Sequence, residues 1–179
     1  MAFPPPPSYP YLKLNADGSA LRNPALAGAG GVLRDHKGRW ISGLSLHVDL
    51  ATNNMTELAA VKQGLEMAWN MGYKFLHLEL DSKVVLSWLT NNNVNYPTNM
   101  LPLICDCRDL FDQEWEVHVQ HVYREANGCV DELAKRGTCQ QTLAFVYSTC
   151  PSFVDVSYVR ELASGETRLY TPGADAAVI

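Results

Sequence analysis

Four acidic residues of this sequence stand where a predicted strand ends or a predicted helix begins: Asp17, Glu57, Asp81 and Asp131. If the fold brings them together, their like charges repel one another, which raises the pKa of the carboxyl groups or recruits cations. Carboxylates without His or Cys partners suit Mg²⁺ or Mn²⁺. Two such ions about 3.5–4 Å apart can stabilise both the attacking and the leaving oxygen of a phosphodiester. The residue types therefore indicate the chemistry of a nuclease or a polymerase.

Three of these acids also have a local explanation. Asp17 lies in the stretch NADGSA, and an Asp-Gly pair is foremost a turn signal. Asp81 or Ser82 could cap the helix that SKVVLSWL begins. Asp131 falls in the first turn of a predicted helix, where the helix dipole favours an anion. Taken one at a time, these acids need no chemistry to explain them.

The fourth acid, Glu57, is more informative. With Asn54 as the N-cap, Glu57 would stand at the third helical position, which is the capping-box arrangement. Glu57 also shares a helix face with Val61, Gly64 and Ala68. That face packs towards the core, and a Glu that only contacts solvent would not need it. The position of Glu57 therefore favours a role beyond capping.

Hydrophobic periodicity predicts the elements that must position these acids. Strands are expected in YLKLNADGS, GAGGVLRD, RWISGLSLHV, KFLHLEL and WEVHVQHVY, with HKG as a hairpin turn between the second and the third. Helices are expected in NNMTELAAVKQGLEMAWNMG, SKVVLSWLTNN, PTNMLPLICDCRDLFDQ and NGCVDELAKRG. Gly72 and Gly137 would end the first and the last of these helices, and Asn127 would cap the last.

This order of elements predicts an α/β fold whose sheet contains both antiparallel and parallel pairs. The neighbouring first and fourth strands would end beneath the starts of two helices, so the four carboxylates would converge on one spot. The domain is expected at residues 11–138, after a proline-rich segment at 1–10 with polyproline II character. An extension at 139–179 is expected to add strands in LAFVYS and SFVDVSYVREL and to end in a disordered tail, TPGADAAVI.

Composition excludes several classes of protein. The chain has 179 residues, of which 47% are apolar and 18% charged, as suits one globular domain. No apolar run approaches the roughly 18 to 20 residues of a membrane span, and the N-terminus lacks the pattern of a signal peptide. We therefore expect an intracellular monomer, with nucleus or cytoplasm left open. Five cysteines without a CxxC pair argue against a zinc site or a disulfide framework.

Five stretches together resemble ribonuclease H of type 1, and most closely the plant ribonuclease H-like domains linked to reverse-transcriptase-like proteins: NADGS, AGAGGVLRD, TNNMTELAAVKQGLEMA, LELDSKVV and HVYREANGCVDELAKRG. The resemblance implies a mixed five-stranded sheet in which strands one to three are antiparallel and strands four and five are parallel to strand one. It implies hydrolysis of the RNA strand of an RNA/DNA hybrid, leaving a 3′-hydroxyl and a 5′-phosphate. It also implies that two Mg²⁺ ions are held by Asp17, Glu57, Asp81 and Asp131.

The resemblance further implies contacts with the substrate. Asn53 and Asn54 match asparagines that contact the minor groove of the hybrid, where the 2′-hydroxyl distinguishes RNA from DNA. Gly18 and Ser19 are expected beside the substrate as well. Asn54 has the alternative role of a helix N-cap, so Asn53 is the better candidate.

Two residues compete for an assisting role in the chemistry. Bacterial members of the family have a His on a flexible loop ten residues before the last Asp, and His121 has that spacing here. The surrounding EVHVQHVYREAN also suits a strand, in which His121 would be structural. An archaeal-type variant lacks that His and has Arg-Glu where this chain has Arg124 and Glu125. The sequence leaves His121 and Arg124 as equal candidates.

The leading hypothesis is an active endonuclease on RNA/DNA hybrids, because all four acids are present in order. The alternative is a nucleic-acid-binding module derived from a retroelement, with weak or no catalysis. Its motivation is the net charge of −5 and the stretch from Ser82 to Trp115, whose cations are Lys83 and Arg108, since the basic protrusion by which some members grip DNA is then missing. A nuclease of this fold with another substrate, such as single-stranded DNA, is a third hypothesis.

Overall fold

The computed structural model describes residues 7–21, 25–165 and 177–178. The strands of its sheet are β1 (Leu12–Ala20), β2 (Ala25–Arg34), β3 (Trp40–Ala51), β4 (Phe75–Leu80), β5 (Glu116–His121), β6 (Ala144–Tyr147) and β7 (Ala177–Val178). Across the sheet they follow the order β6-β3-β2-β1-β4-β5-β7. Most of the proline-rich segment predicted at 1–10 lies outside the described residues.

The sheet confirms the predicted mixture of strand directions. β1, β2 and β3 form an antiparallel meander, and β4 pairs in parallel with β1 on one side and β5 on the other. Gly38 completes the turn between β2 and β3 with a φ of 75°, a conformation that Gly adopts without steric cost. The expected count of five strands is too low, because β6 pairs antiparallel with β3 and β7 pairs antiparallel with β5.

In the described part of the chain, five α-helices flank the sheet: α1 (Asn53–Asn70), α2 (Lys83–Thr90), α3 (Leu101–Phe111), α4 (Gly128–Cys139) and α5 (Asp155–Gly165). α1, α2 and α3 cover one face, over an apolar cluster that includes Leu14 and Leu78. α4 and α5 cover the other face, over a smaller cluster that includes Val32 and Leu133. Among the described residues, no helix is long and apolar enough to cross a membrane.

Two helix ends agree with the sequence. Gly72 follows α1 with a φ of 84°, and its N–H donates to the Trp69 carbonyl oxygen at 2.9 Å. Ser82 caps α2, because its hydroxyl accepts the Val85 N–H at 3.2 Å. Asp81 is thereby released from the capping role that it could have shared with Ser82.

The start of α1 differs from the prediction. Its N-cap is Thr52, whose Oγ1 accepts the Met55 N–H at 3.3 Å. Asn54 is already helical, and Glu57 lies too far into the helix for a capping box, so both of those predictions are wrong. Thr is itself a good N-cap, and with Thr52 in that position α1 begins two residues earlier than predicted.

Two glycines bring α4 into contact with the backbone of the sheet. A Cβ on Gly28 would lie 2.1 Å from the Ala134 carbonyl oxygen, and a Cβ on Gly137 would lie 2.1 Å from that of Leu46. The sequence predicts that Gly137 ends the helix, and this prediction is wrong, because α4 continues to Cys139. Its missing side chain serves the close approach instead.

The segment after α4 differs most from the prediction. LAFVYS contains β6, as expected, but SFVDVSYVREL forms a 3₁₀ turn and then α5 instead of a strand. Val156 and Val159 are 73% and 63% exposed, whereas Val154 and Glu161 are buried, which is a helical spacing. Of the tail predicted to be disordered, residues 177–178 lie within the described residues, and they pair with β5.

Candidate metal centre

Three carboxylates meet beside β1 and β4. Asp17, Glu57 and Asp81 each offer an oxygen within 4.8 Å of the others. Asp17 and Glu57 are 2% and 5% exposed, and the side chain of Asp81 is 13% exposed. The cluster is therefore enclosed at Asp17 and Glu57 and opens towards solvent at Asp81.

Strand pairing brings Asp17 and Asp81 together. β1 and β4 run parallel with Asn15 opposite Glu79, and side chains two residues apart share a face of a strand. Asp17 and Asp81 each lie two residues further along, so they continue on the same face of adjacent strands. Asp17 Oδ1 also accepts the Gly18 N–H at 2.8 Å.

α1 brings Glu57 to the same point. A Cβ on Gly18 would lie 2.2 Å from Thr56 Oγ1 and 2.5 Å from the Glu57 nitrogen, so β1 and α1 approach this closely because residue 18 is Gly. The Ser82 N–H donates to Glu57 Oε1 at 3.3 Å. Gly18, which is expected from the resemblance to lie beside the substrate, is buried in this contact.

The electrostatics of the cluster favour a bound cation. Burial, followed by the charge of Asp81, raises the pKa of Asp17 to about 7. Burial and the charges of Asp81 and Asp17 raise the pKa of Glu57 to about 9. The pKa of Asp81 is also raised by burial, against the opposing charge of Arg124. Without a cation, Glu57 tends to keep its proton at neutral pH and Asp17 is only partly ionised, and a cation would displace those protons.

The donor atoms fit a hard divalent cation. Within the described residues, Asp17 Oδ2 is buried and has no hydrogen-bond partner. An unpaired buried polar atom costs free energy, and a cation beside it would remove that cost. Carboxylate oxygens without His or Cys partners are the ligands that suit Mg²⁺ or Mn²⁺.

Asp131 lies at the margin of this group. Its Oδ2 is 2.5 Å from Lys135 Nζ, and its Oδ1 is 4.0 Å from Arg124 Nη2. Arg124 Nε is in turn 3.8 Å from Asp81 Oδ2. The expected convergence of four carboxylates is therefore corrected: three form the compact cluster, and the fourth faces Lys135, one helical turn away, with the Arg124 guanidinium between it and Asp81.

The two candidates for the assisting role occupy different positions. His121 is the last residue of β5, and its Nε2 donates to the Asp81 carbonyl oxygen at 3.0 Å. Arg124 stands in the 3₁₀ turn that follows, and its side chain is 69% exposed. The imidazole is thus held by the backbone within a strand, while the guanidinium reaches two carboxylates.

The remaining residues that are predicted to contact the substrate lie near the C-terminal end of β1 and at the start of α1. Asn53 is exposed, and Asn54 and Ser19 are half-buried. Since Thr52 caps α1, the capping role that competes with substrate contact at Asn54 is removed. Substrate contact by these three residues stays a prediction.

A buried polar network behind the carboxylates is missing from the sequence-based predictions. Glu79 is fully buried, and its carboxylate accepts the side-chain amides of Asn15 and Gln120, each at 2.8 Å. Lys13 Nζ lies 3.5 Å from the same carboxylate. Asn15 and Glu79 each stand two residues before an aspartate of the cluster. That repeated polar residue two positions before the acid is the signal in the sequence that could find the network.

Comparison with known proteins gives the family. The sequence matches the model of a family described as reverse transcriptase-like over residues 15–137, a range that contains all four acids. The chain belongs to this reverse transcriptase-like family. The matched range also includes the whole of the carboxylate cluster.

One relative of this chain is a plant protein. An Arabidopsis thaliana protein named as a candidate ribonuclease H is 35% identical over 163 residues, which cover 90% of this chain and 26% of that protein. The chain thus spans about a quarter of the length of this relative. The match extends beyond the family range into the C-terminal segment.

Solved ribonuclease H structures share the fold of this chain. The N-terminal ribonuclease H domain of a Mycobacterium tuberculosis protein, solved as a fusion with maltose-binding protein, gives a TM-score of 0.68 at 25% identity, over 72% of this chain and 93% of that one. Ribonuclease H1 of Halobacterium salinarum gives 0.66 at 27% identity, over 71% and 96%. LC11 ribonuclease H1, solved in complex with an RNA/DNA hybrid, gives 0.65 at 23% identity, over 71% and 96%. The ribonuclease H-like fold implied by the sequence is confirmed.

Proposed function

We propose that this domain is a Mg²⁺-dependent endonuclease that hydrolyses the RNA strand of RNA/DNA hybrids. The observation that carries the proposal is the group of three carboxylate oxygens within 4.8 Å of one another. Membership of the reverse transcriptase-like family and the ribonuclease H names of its structural neighbours support nucleic acid as the partner. The donor set and its raised pKa values support a divalent cation as the cofactor.

The acids have distinct parts in this proposal. Asp17, Glu57 and Asp81 would hold one cation, and Asp131 would help to hold a second, with Mn²⁺ able to replace Mg²⁺. When bound, the ions would offset the charge of the phosphate and lower the pKa of the attacking water. Asp17 and Glu57 close the protein side of the site, so the scissile phosphate would approach from the side of Asp81. Cleavage of the bond from phosphorus to the 3′ oxygen leaves a 3′-hydroxyl and a 5′-phosphate.

We assign the assisting role to Arg124 rather than to His121. The exposed guanidinium lies between Asp81 and Asp131, where it reduces their mutual repulsion and can reach a phosphate oxygen. The Nε2 proton of His121 is used in the bond to the Asp81 carbonyl oxygen. That bond ties the Nε2 side of the imidazole to the residue that follows β4, so Nδ1 is the ring nitrogen that remains for other contacts.

Neutral amides would select the hybrid. Asn53 is exposed at the start of α1, four residues before Glu57, Asn54 follows it in the chain, and Ser19 follows Gly18, which packs against Thr56 of the same helix. An amide can donate to and accept from the 2′-hydroxyl in the minor groove, which DNA lacks. This arrangement would read the sugar of the RNA strand without a need for cations.

A second function, nucleic-acid binding with little catalysis, is favoured by one observation. Of the two cations between Ser82 and Trp115, Arg108 donates through Nη2 to the carbonyl oxygens of Trp88 and Asn91, at 2.6 and 3.3 Å. Lys83 is then the cation of this stretch that remains for phosphate. A weak grip on the substrate would follow from that shortage.

The deciding experiment is a cleavage assay with RNA/DNA hybrid, double-stranded RNA and double-stranded DNA side by side. We expect hybrid cleavage in Mg²⁺, none in EDTA, and none with Asp81→Asn. Asp106→Asn is the matched control, because Asp106 is a half-buried acid of α3 that pairs with Lys62 at 2.7 Å. Absent cleavage by the wild-type chain, with retained binding, would replace the endonuclease by the binding function. Cleavage that survives Asp81→Asn would reject the site.

A further inference from the structure

The first turn of α4, which carries Asp131, receives no cap from its own sequence. Asn127 occupies the N-cap position, but its side chain makes no capping hydrogen bond. Within the described residues, both polar atoms of the Asn127 side chain are buried without hydrogen-bond partners. A helix N-terminus leaves backbone N–H groups without intrahelical acceptors. The start of α4 therefore needs an acceptor from another part of the chain.

That acceptor is Glu161, which lies on α5. Its Oε1 accepts the Cys129 N–H at 2.9 Å, and this second helical position is a usual partner of an N-cap oxygen. Its Oε2 lies 2.5 Å from Nη2 of Arg34 on β2, and the two side chains are 6% and 4% exposed. One buried carboxylate thus ties the start of α4 to the sheet and to α5.

Further contacts hold α5 in this place. The Ser157 hydroxyl donates to the carboxylate of Glu132, the neighbour of Asp131. The Tyr158 hydroxyl accepts the Trp40 N–H of β3 at 2.8 Å. α5 lies wholly beyond the residues 15–137 that match the family. The helix that carries the fourth acid is therefore anchored by a segment outside the family match.

We propose that Glu161 is a positioning residue for Asp131 and that α5 is part of the catalytic unit, an inference that rests on the proposed function. The Asp131 N–H bonds to the Asn127 carbonyl oxygen at 3.1 Å, as the first turn of α4 requires. The Glu161 carboxylate keeps this turn helical by accepting from Cys129 and by its favourable interaction with the helix dipole. Fraying of the turn would move the Asp131 carboxylate away from Arg124 and the metal cluster.

The test uses two double variants, because loss of Glu161 alone would leave Arg34 buried without a counter-charge, which is strongly destabilising. Arg34→Met with Glu161→Gln removes both charges and keeps an oxygen for the Cys129 N–H. Arg34→Met with Glu161→Leu removes the charges and that oxygen at a similar side-chain volume. The two proteins therefore differ in whether residue 161 has an oxygen that can accept the Cys129 N–H.

Three measurements are made on the full chain: amide hydrogen exchange at residues 128–131, binding of Mn²⁺ without nucleic acid, and kcat and KM on an RNA/DNA hybrid. In the Leu variant we expect these amides to exchange roughly fivefold to tenfold faster, as the loss of a cap implies. We expect one Mn²⁺ ion to bind more weakly by a similar factor, and kcat to fall while KM stays unchanged. The Gln variant keeps the acceptor and loses only the charge, so it should stay within about threefold of the wild-type chain in all three.

Equal exchange and equal Mn²⁺ affinity in the two double variants would overturn the inference. If the wild-type chain binds Mn²⁺ but cleaves no hybrid, the proposed function fails, and the exchange and metal measurements still decide the role of Glu161. Should the Leu variant not fold, Glu161→Asp keeps a charge for Arg34 and withdraws the oxygen from Cys129. Faster exchange at residues 128–131 in that protein would then support the inference, and unchanged exchange would overturn it.

Discussion

Gly18 lies so close to Thr56 that a Cβ on Gly18 would stand 2.2 Å from the Thr56 hydroxyl oxygen. This contact joins β1, which carries Asp17, to α1, which carries Glu57. The absence of a side chain at residue 18 therefore sets how closely the two carboxylates approach. A methyl group there must push the strand and the helix apart.

Gly18→Ala should weaken the metal centre. We expect a loss of about 1–3 kcal/mol in the free energy of unfolding, as for other overpacked sites, and a clear fall in Mn²⁺ affinity measured by calorimetry. Gly31→Ala is the matched control on β2, because its Cβ would meet the side chain of Leu44 at 3.2 Å, a much longer distance than that from Gly18 to Thr56. A Gly18→Ala protein with wild-type Mn²⁺ affinity would contradict the role of this contact.

Without a bound metal ion, the protein should lose stability as the pH rises. The pKa values of Asp17 and Glu57 in the folded chain, about 7 and about 9, exceed the value of about 4 for carboxyl groups in an unfolded chain. A raised folded-state pKa gives stability that is complete below the unfolded pKa and is lost as the pH rises through the folded pKa. In EDTA, the free energy of unfolding should therefore fall from about pH 4 to about pH 9.

Two controls accompany this measurement by urea denaturation. Saturating Mg²⁺ should remove most of the fall, because the cation offsets the repulsion between the carboxylates. Glu57→Gln should flatten the alkaline part of the curve in EDTA. An increase of stability with pH across this range would show that the carboxylates are not strained in the folded chain.

Arg124 and His121 should respond differently to substitution. Arg124→Ala should lower kcat roughly tenfold to a hundredfold, because a charge directed at the reacting phosphate is lost. His121→Gln keeps an N–H donor for the Asp81 carbonyl oxygen and should change kcat by less than about threefold, within the net value of one neutral hydrogen bond. Single-turnover rates in saturating Mg²⁺ provide the comparison. A larger effect of His121→Gln than of Arg124→Ala would reverse the assignment.

Binding of hybrid should depend weakly on salt. The cations near the cluster are Lys83, Arg124 and Lys135 among the described residues, and Lys135 is already paired with Asp131. With two or three phosphate contacts, log K against log salt should have a slope of about −2 to −3. Fluorescence anisotropy with the Asp81→Asn chain measures this slope without turnover. A slope steeper than about −5 would indicate a basic surface elsewhere.

The network around Glu79 should matter for stability. Glu79→Ala leaves Lys13 buried without its counter-charge and Asn15 without an acceptor, at an expected cost of about 3–5 kcal/mol. Urea denaturation tests this expectation, with Glu66→Ala on α1 as a control because Glu66 is only half-buried. Equal losses in the two proteins would show that the network adds no stability.

The parts of the fold that follow from hydrophobic periodicity and from helix-ending residues are predictable from the sequence. Leu76, Leu78 and Leu80 alternate on one face of β4, and all three are buried. Gly72 ends α1 because a left-handed residue after a helix favours Gly. Asp81, directly after β4, and Asp131, in the first turn of α4, lie at element boundaries that the pattern marks, whereas Asp17 lies inside β1 and Glu57 inside α1.

The parts that depend on long-range polar pairing could not be predicted. The stretch SFVDVSYVREL is expected as a strand, whereas it forms a 3₁₀ turn and α5, whose buried positions include Glu161. A buried Glu is recognisable only with its partner, and Arg34 lies more than a hundred residues earlier. The same holds for Glu79, whose partner Lys13 is on another strand. Hydrophobic periodicity carries no information about such pairs.

The strands that close the two edges of the sheet both follow α4 in the chain: β6 pairs with β3 at one edge, and β7 pairs with β5 at the other. On the ribosome, the five central strands would emerge before either edge can be covered. An uncovered strand edge can pair with another chain, and domains form from the N-terminus during synthesis. The nascent protein would therefore present an unprotected edge at β3 until β6 leaves the exit tunnel, and an unprotected edge at β5 until β7 leaves it, so translation is a period of aggregation risk for this chain.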